Sequence, residues 1–175
     1  QALVNAAAKV VALAGDATKP KLVAADLTKL GVDLTSLDSG NVKANALALL
    51  NDLIIADSTA QTAVAGIQTL VTALGALIDD VAEATVGSLD LTGAELEALG
   101  FDATSTELVS GTTPTANITT NNIQAVRMAL SATADDLSDL TSLSALQTLV
   151  NDIAKAANKI ENYAEASTTP TDAGL

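Results

Sequence analysis

The side chains that could do chemistry in this chain are few, because its 175 residues include no His and no Cys. A catalytic thiolate, an imidazole acid or base, a disulfide and the common zinc or haem ligand sets are therefore excluded. Carboxylates, lysines and one tyrosine remain. The carboxylates dominate, since 21 Asp and Glu against 8 Lys and Arg give a formal net charge of -13.

Paired carboxylates are the first candidates for metal binding or acid–base work. Asp79-Asp80 and Asp135-Asp136 are adjacent, and neighbours on a helix point about 100 degrees apart, so neither pair converges on one point. Asp33, Asp38 and Ser39 could offer oxygen ligands to calcium, but their spacing fits no EF-hand or nonapeptide calcium repeat. We therefore expect a solvated acidic surface with Asp in caps and turns, and calcium binding is the alternative.

The other reactive side chains favour structural roles. Lys155 and Lys159 lie one turn apart and are expected on an exposed, ion-paired face, because nothing indicates the apolar pocket that a catalytic Lys needs. Tyr163 and Phe101 are the two aromatic residues, and we expect both to serve packing. Asn117 begins a minimal N-glycosylation pattern, for which a turn that closes the loop is the favoured interpretation. We predict no catalytic residue, no cofactor and no metal site.

Charge and hydropathy also limit the partners. The basic residues are scattered from Lys9 to Lys159, without the basic stripe or stacking platform that nucleic-acid binding needs, so we expect no nucleic acid. Residues 58–78 carry no charge and are long enough to cross a bilayer. A polar stripe recurs along them and acidic residues flank them, so we expect a buried helix and no membrane span. The first residues lack a signal-peptide pattern, so any export signal would lie outside this chain or have been removed.

The chain repeats itself. Residues 24–33 align with residues 93–102, and residues 68–71 align with residues 147–150. The second copy is longer, and its extra length falls in residues 109–120, which are rich in Ser, Thr and Gly. Such an insertion predicts a surface loop.

A third, partial copy opens the chain, because residues 1–5 match residues 147–151. We therefore predict three parts: the C-terminal helix and linker of a preceding partial repeat over 1–22, helical repeat 1 over 23–91, and helical repeat 2 over 92–175. Two interpretations of the partial copy stay open. The chain is cut from a longer array, or its ends complement those of neighbouring copies.

Within each repeat the apolar period is helical. Apolar residues recur at spacings of three and four along the first copy, at Val64, Ile67, Val71, Leu74, Ile78 and Val81. The second copy keeps this seam at Leu143, Leu146, Val150, Ile153, Ala157 and Ile160. Such a seam predicts one long helix in each repeat. Residues 41–55 and 121–131 carry shorter seams and predict a medium helix in each.

Capping patterns predict the ends of a short helix in each repeat. Thr92 and Glu95 form a capping box that opens this helix in the second copy. Gly100 can take the left-handed conformation that ends it. The first copy has Val23 at the cap position, which predicts a weaker start.

The first long helix has further local signals. Ser58 with Gln61 is a plausible capping box ahead of it. Gly66 and Gly75 lie inside it, although Gly costs about 1 kcal/mol relative to Ala in a helix. We therefore expect these glycines to mark close helix contacts.

The predicted fold class is all-α, with tandem three-helix units, each a short, a medium and a long helix, stacked in a row. Alanine favours the helix and lets helices approach closely, which allows a core with almost no aromatic side chains. Because each long helix runs through a brief linker into the next short helix, neighbouring units should share part of an interface.

The order of these motifs resembles a known class of repeat. Residues 92–102 have the form Thr-x-x-Glu-Leu-x-x-Leu-Gly-Phe-Asp, a helical segment follows at 122–130, residues 146–150 read Leu-Gln-x-Leu-Val, and Thr169-Pro170 forms a linker. This series resembles the alanine-rich helical tandem repeats of large Gram-negative bacterial surface adhesins and biofilm-associated proteins. The resemblance implies spacers or cell-surface interaction modules, exported without disulfides and without a catalytic site. The chain differs in having only two full copies and a fragment.

The leading functional expectation is a non-catalytic extracellular structural or adhesive repeat module of a bacterial cell-surface protein. Its partners would be other copies of the repeat or neighbouring subunits, with a cell-surface or matrix partner also possible. A self-assembling subunit of a surface fibre or layer, joined head to tail through incomplete terminal repeats, is the alternative. A helical bundle that binds an apolar ligand is a third hypothesis.

Overall fold

The computed structural model describes residues 1–37, 43–56, 63–82, 91–101, 118, 122–133 and 142–168. The helices in these residues are α1 (Ala2–Leu13), α2 (Ala24–Lys29), α3 (Lys43–Ala56), α4 (Val64–Ala82), α5 (Gly93–Ala98), α6 (Ile123–Thr133) and α7 (Leu143–Thr168). A single 3-10 turn (Thr35–Leu37) lies between α2 and α3. No strand occurs in the described part of the chain, so the prediction of an all-α protein is confirmed.

The two short helices, α2 and α5, end in the same way. Gly31 has φ 83° and Gly100 has φ 87°, the left-handed conformation that glycine adopts without strain. The amide that follows each glycine donates back across the last turn, from Val32 to the Leu27 carbonyl (3.1 Å) and from Phe101 to the Leu96 carbonyl (2.9 Å). This bonding pattern closes a helix C-terminus. It also turns Val32 and Phe101 into the core, as predicted for Phe101.

The starts of these helices differ as their residue types predict. The Thr92 hydroxyl accepts a hydrogen bond from the Glu95 amide (3.2 Å), and the Glu95 carboxylate accepts one from the Thr92 amide (2.7 Å). The predicted capping box is therefore complete. Val23 has no side-chain acceptor, and only the return bond is present, from the Val23 amide to the Asp26 carboxylate (3.4 Å). The predicted box at Ser58 and Gln61 lies outside the described residues.

Helix α4 lies at the centre of the described core. It packs against α3, α5, α6 and the 3-10 turn. The predicted seam residues from Ile67 to Val81 are buried, whereas Val64 at the start is exposed. Among the described residues, the stretch Val64–Val81 is the one whose length and apolar composition would suffice to cross a bilayer, and 56% of it is buried inside the molecule. Burial of this kind is what we predicted for a core helix.

The second seam is only partly correct. Leu143, Leu146 and Val150 are buried, but Ile160 is 72% exposed. The buried side of α7 continues through Ala154 and Asn158, and Asn158 is hydrogen-bonded to Asn122 just before α6. The prediction for Ile160 is wrong because Ile160, two residues after Asn158, lies about 200 degrees away from it around the helix.

Gly75 makes the predicted close contact, but its partner is not a helix. A Cβ atom built on Gly75 would meet Ser36 of the 3-10 turn. Each medium helix also packs on the long helix that follows it, α3 on α4 and α6 on α7. One further scheme occurs twice: α1 contacts α2 and α3, and α4 contacts α5 and α6. Each time, a long helix lies against the short and medium helices that follow it in the chain.

Candidate functional site

In the part of the chain that the structure describes, the carboxylates do not form a cluster. Asp79 is exposed and Asp80 is fully buried, so the two side chains diverge as predicted. Within the described ranges, no group of three acidic side chains could hold a metal ion. Asp135 and Asp136 lie outside those ranges.

Two aspartates have the predicted role in turns. The Asp33 carboxylate accepts a hydrogen bond from the Thr35 amide (2.9 Å), and this bond, with a second one from the Thr35 side chain, lowers the pKa of Asp33. The Asp16 carboxylate accepts from the Thr18 hydroxyl (2.6 Å) and amide (2.9 Å), which lowers the pKa of Asp16. The other two residues of the calcium alternative, Asp38 and Ser39, lie outside the described residues.

The remaining predicted candidates give no site. Lys155 and Lys159 are both exposed on α7, as predicted. Asn117 and the side chain of Tyr163 lie outside the description. Ile118, next to Asn117, is buried.

Asp26 is a buried carboxylate, and its ion pair with the half-exposed Lys9 joins α2 to α1. The Lys9 ammonium lies 2.8 Å from the Asp26 carboxylate, whose side chain is only 6% exposed. The hydrogen bond from Lys9 is the largest of the effects that lower the pKa of Asp26. Asp26 thus joins the first turn of α2 to the preceding helix.

A second buried group fixes the chain just before α2. Asn51 of α3 is 3% exposed. Its Oδ1 accepts from the Leu22 amide (2.7 Å), and its Nδ2 donates to the Leu22 carbonyl (3.1 Å) and to the Leu47 carbonyl (2.7 Å). One side chain therefore satisfies both polar backbone groups of a buried residue, which would be costly to leave unpaired.

The chain before α5 is held in the same position by two residues. The Asp80 carboxylate of α4 accepts from the Leu91 amide (3.1 Å). The Arg127 guanidinium of α6 donates to the Leu91 carbonyl, through Nε (2.6 Å) and also through an NH2 group. Leu91 aligns with Leu22 in the repeat, so the same peptide position is bound by one residue in the first copy and by two in the second.

Another contact that recurs in both copies involves the Gln of the Gln-x-Leu-Val motif. Gln68 accepts from the Asp33 amide (2.8 Å) and donates to the Asp33 carbonyl (3.1 Å). In the second copy, Gln147 lies at the matching place, with its Nε2 3.5 Å from a Cβ atom built on Gly100. Gln68 and Gln147 each lie beside the segment that follows a short helix.

Sequence reasoning did not identify Asn51, Asp80 or Arg127 as a set. The signal was present in the repeat, because Asn51 and Arg127 align when the apolar seams of the medium helices are superimposed. A polar residue at the same seam position in both copies indicates a buried hydrogen-bonding task.

An open groove of about 370 Å³ lies between α4 and α5. Its lining consists mostly of small side chains, including Ala65, Thr69, Thr72, Ala94 and Ala98. It contains no nucleophile beyond threonine hydroxyls, and Glu95 at its edge is occupied in the capping box. The groove is therefore a seam between packed helices with little means of chemistry.

Comparison of the chain with protein-family models, with curated proteins and with solved structures finds no match.

Proposed function

We propose that this chain is a non-catalytic structural or adhesive repeat module of a bacterial cell-surface protein, acting outside the cell. Its work would be done by helix surfaces and by its position in a string of tandem three-helix units. The observation that carries the proposal is that α4 contacts one repeat on one side and the next repeat on its other side.

One side of α4 belongs to the first repeat. There the Ser36 hydroxyl donates to the Val71 carbonyl (3.3 Å), and Gln68 binds the backbone of Asp33. The other side belongs to the second repeat, where Asp80 binds the Leu91 amide and Ala73 lines the seam with α5. A helix shared in this way couples neighbouring units, so stability spreads along an array as a sum of local interfaces.

The chemistry of the chain suits such a spacer. A chain without Cys needs no disulfide exchange on export and does not cross-link in an oxidising environment. The net charge of -13 keeps copies apart in solution and offsets a positive mean hydropathy of +0.37. The buried polar groups described above all satisfy backbone groups or each other, which is a structural use.

Labelling of intact cells tests the extracellular part of the proposal. Antibodies raised against the purified chain should bind unpermeabilised cells of the source bacterium, and protease added outside the cells should remove the signal. An abundant cytoplasmic protein serves as the control that the cells are intact. Labelling that needs permeabilisation would overturn the proposal.

The fibre-subunit alternative draws on one specific observation, the exposure of Leu3 and Val4 on α1. Head-to-tail association through such a face would give open filaments. Electron microscopy of the purified chain over a wide concentration range decides this point, because monodisperse particles at high concentration contradict assembly. The apolar-ligand alternative would have to rely on the Ala- and Thr-lined groove between α4 and α5.

A further inference from the structure

Helix α1 has the sequence of a long helix whose partner unit is not beside it. Six of its first nine residues are identical to the start of the α7 motif: Gln1, Leu3, Val4, Asn5, Ala8 and Lys9 match Gln147, Leu149, Val150, Asn151, Ala154 and Lys155. The same register aligns Gln1, Val4, Ala8 and Val11 with Gln68, Val71, Gly75 and Ile78 of α4. We call Gln1, Val4, Ala8 and Val11 the outer stripe of α1.

The outer stripe is exposed in α1, whereas most of its counterparts in the other two long helices are buried and the rest, Gln68, Gln147 and Ala157, are half-buried. Val4 is 66% exposed and Val11 is 60% exposed. Their counterparts in α4, Val71 and Ile78, are 0% and 1% exposed, and Val150 of α7 is 0% exposed. The opposite side of α1 is already in use, because Ala6, Val10 and Leu13 are buried in its packing on α2 and α3.

The partners of the stripe are known from the other two helices. On α4 it is covered by the 3-10 turn, whose Ser36 binds the Val71 carbonyl, and by the backbone of Asp33. On α7 the stripe is covered by α6, and the Gly100 turn lies beside Gln147. In both cases the cover is the part of a repeat unit that precedes its own long helix.

The residue at the position of Gly75 determines which of the two packing arrangements fits a long helix. Gly75 admits Ser36 so closely that a Cβ atom there would lie 2.6 Å from the Ser36 Cβ. Ala8 of α1 carries such a Cβ, and its counterpart Ala154 in α7 is fully buried. The outer stripe of α1 therefore fits a cover of the second-repeat type better than one of the first-repeat type.

We infer that the outer stripe of α1 is a docking surface for one further repeat unit of the second type. Its medium helix would pack on the stripe as α6 packs on α7, and its glycine turn would lie beside Gln1 as the Gly100 turn lies beside Gln147. This inference rests on the proposed function, since it names the neighbour with which the module stacks. Docking would bury Val4 and Ala8 to the same degree as Val150 and Ala154, and would half-bury Val11 as Ala157 is half-buried.

A chain extended at its N-terminus tests the inference. Residues 92–146 are placed directly ahead of Gln1, so that α1 takes the position that α7 has after them. The natural sequence has no Cys, so a single Val4→Cys substitution reports burial by its rate of reaction with a thiol reagent. Ala2→Cys is the matched control, because its counterparts Thr69 and Thr148 are both exposed.

In the unextended chain both cysteines should react at similar rates. In the extended chain we expect Val4→Cys to react about tenfold more slowly or slower still, and Ala2→Cys to stay within about twofold, because protection follows the opening equilibrium of the docked unit. Equal, fast reaction of both cysteines in the extended chain would overturn the inference. So would slow reaction of Val4→Cys in the unextended chain at high concentration, since a second copy of the chain would then be the cover.

Two further substitutions separate docking from misfolding of the extension. Val4→Glu should restore fast labelling of an Ala8→Cys reporter in the extended chain, because the counterpart Ala154 is fully buried in α7, and should leave the thermal midpoint of the unextended chain unchanged. Ala12→Asn should slow labelling of Val4→Cys further, because Asn158 at this position of α7 accepts a hydrogen bond from Asn122 of α6. Docking without labelling of intact cells would reject only the cell-surface function, and cell labelling without docking would reject only this inference.

Discussion

Gly75 of α4 and Ser36 of the 3-10 turn approach so closely that a Cβ atom on Gly75 would lie 2.6 Å from the Ser36 Cβ and 2.9 Å from its Oγ. Glycine inside a helix costs about 1 kcal/mol relative to alanine. The glycine at this position therefore gives up helix propensity, and the turn gains direct contact with the helix backbone, where the Ser36 hydroxyl binds the Val71 carbonyl.

Gly75→Ala is expected to lower the free energy of unfolding by about 1–2 kcal/mol, because overpacking outweighs the gain in helix propensity. Chemical denaturation measures this change. In a Ser36→Gly background the same substitution should cost much less, since the nearest remaining atom of residue 36 is the carbonyl oxygen at 3.3 Å. A Gly75→Ala variant as stable as the parent would contradict the close contact.

The fold was predictable where its causes lie within a few consecutive residues. The Thr92 and Glu95 box, the Gly100 turn and the periodic seam of α4 are of this kind, and each was predicted. The contact of Gly75 was predicted without its partner, because Ser36 is far away in sequence and nothing in its own neighbourhood indicates the pairing. Ile160 shows the same limit, since its exposure depends on which side of α7 packs on α6, and Asn158 lies on that side.

The polar contacts before α2 and α5 were not predicted at all. Each joins a side chain to the backbone of a distant residue, and backbone groups carry no sequence signal. The two copies of the repeat nevertheless allow a direct comparison of different residues at equivalent positions. Leu13 of α1 aligns with Asp80 of α4, and Asn51 aligns with Arg127, so the two copies satisfy the peptide groups of Leu22 and Leu91 with different residues.

Replacing Asp80 and Arg127 by the residues that the first copy has at these positions tests whether the two arrangements are equivalent. Asp80→Leu leaves the Leu91 amide without its acceptor and is expected to cost about 1–3 kcal/mol of unfolding free energy. Adding Arg127→Asn should recover about 1 kcal/mol or more of this loss, because an Asn here can bind both groups of Leu91 as Asn51 binds those of Leu22.

The control for this exchange is Arg127→Leu in the same Asp80→Leu background. Leucine has neither donor nor acceptor, so it should recover nothing and leave the Leu91 carbonyl unpaired as well. Urea denaturation of the parent, the single variants and both double variants gives the coupling energies. Equal stability of the two double variants would show that the peptide group of Leu91 is not the reason for these residues.

Acid should weaken the connection between α1 and α2. The hydrogen bond from Lys9 lowers the pKa of Asp26 in the folded protein. A group whose pKa is lowered by folding stabilises the fold above its ordinary pKa of about 4 and loses that effect as the pH falls through its folded-state value. The free energy of unfolding should therefore decrease as Asp26 takes up its proton.

Lys9→Met isolates this contribution. The variant should have a lower thermal midpoint than the parent near pH 7, and the difference should disappear well below pH 4. Lys19→Met is the control, because the Lys19 and Asp16 side chains form an exposed pair at 3.5 Å, which is expected to contribute little. A Lys9→Met difference that persists unchanged into acid would indicate lost packing of the lysine stem, with no contribution from the ion pair.

Substitution of Val23 by threonine is expected to stabilise the fold through one added hydroxyl group. The backbone of Val23, at φ −106° and ψ 159°, is already close to that of Thr92, at φ −87° and ψ 161°. The Asp26 carboxylate already accepts from the Val23 amide. Val23→Thr should complete the capping box and raise the free energy of unfolding by about 0.5–1 kcal/mol.

The reciprocal substitution makes the cause identifiable. Thr92→Val removes the same hydroxyl from the second copy and should cost a similar amount, while Val11→Thr, at a 60% exposed position inside α1, should change stability by less than about 0.5 kcal/mol. Denaturant titration of the three variants compares them. A gain at residue 23 that matches the loss at residue 92 would assign both to the cap, because residue 23 precedes the start of a helix and residue 11 does not. Equal gains at residues 23 and 11 would instead assign the effect to the added hydroxyl group itself, independent of the cap.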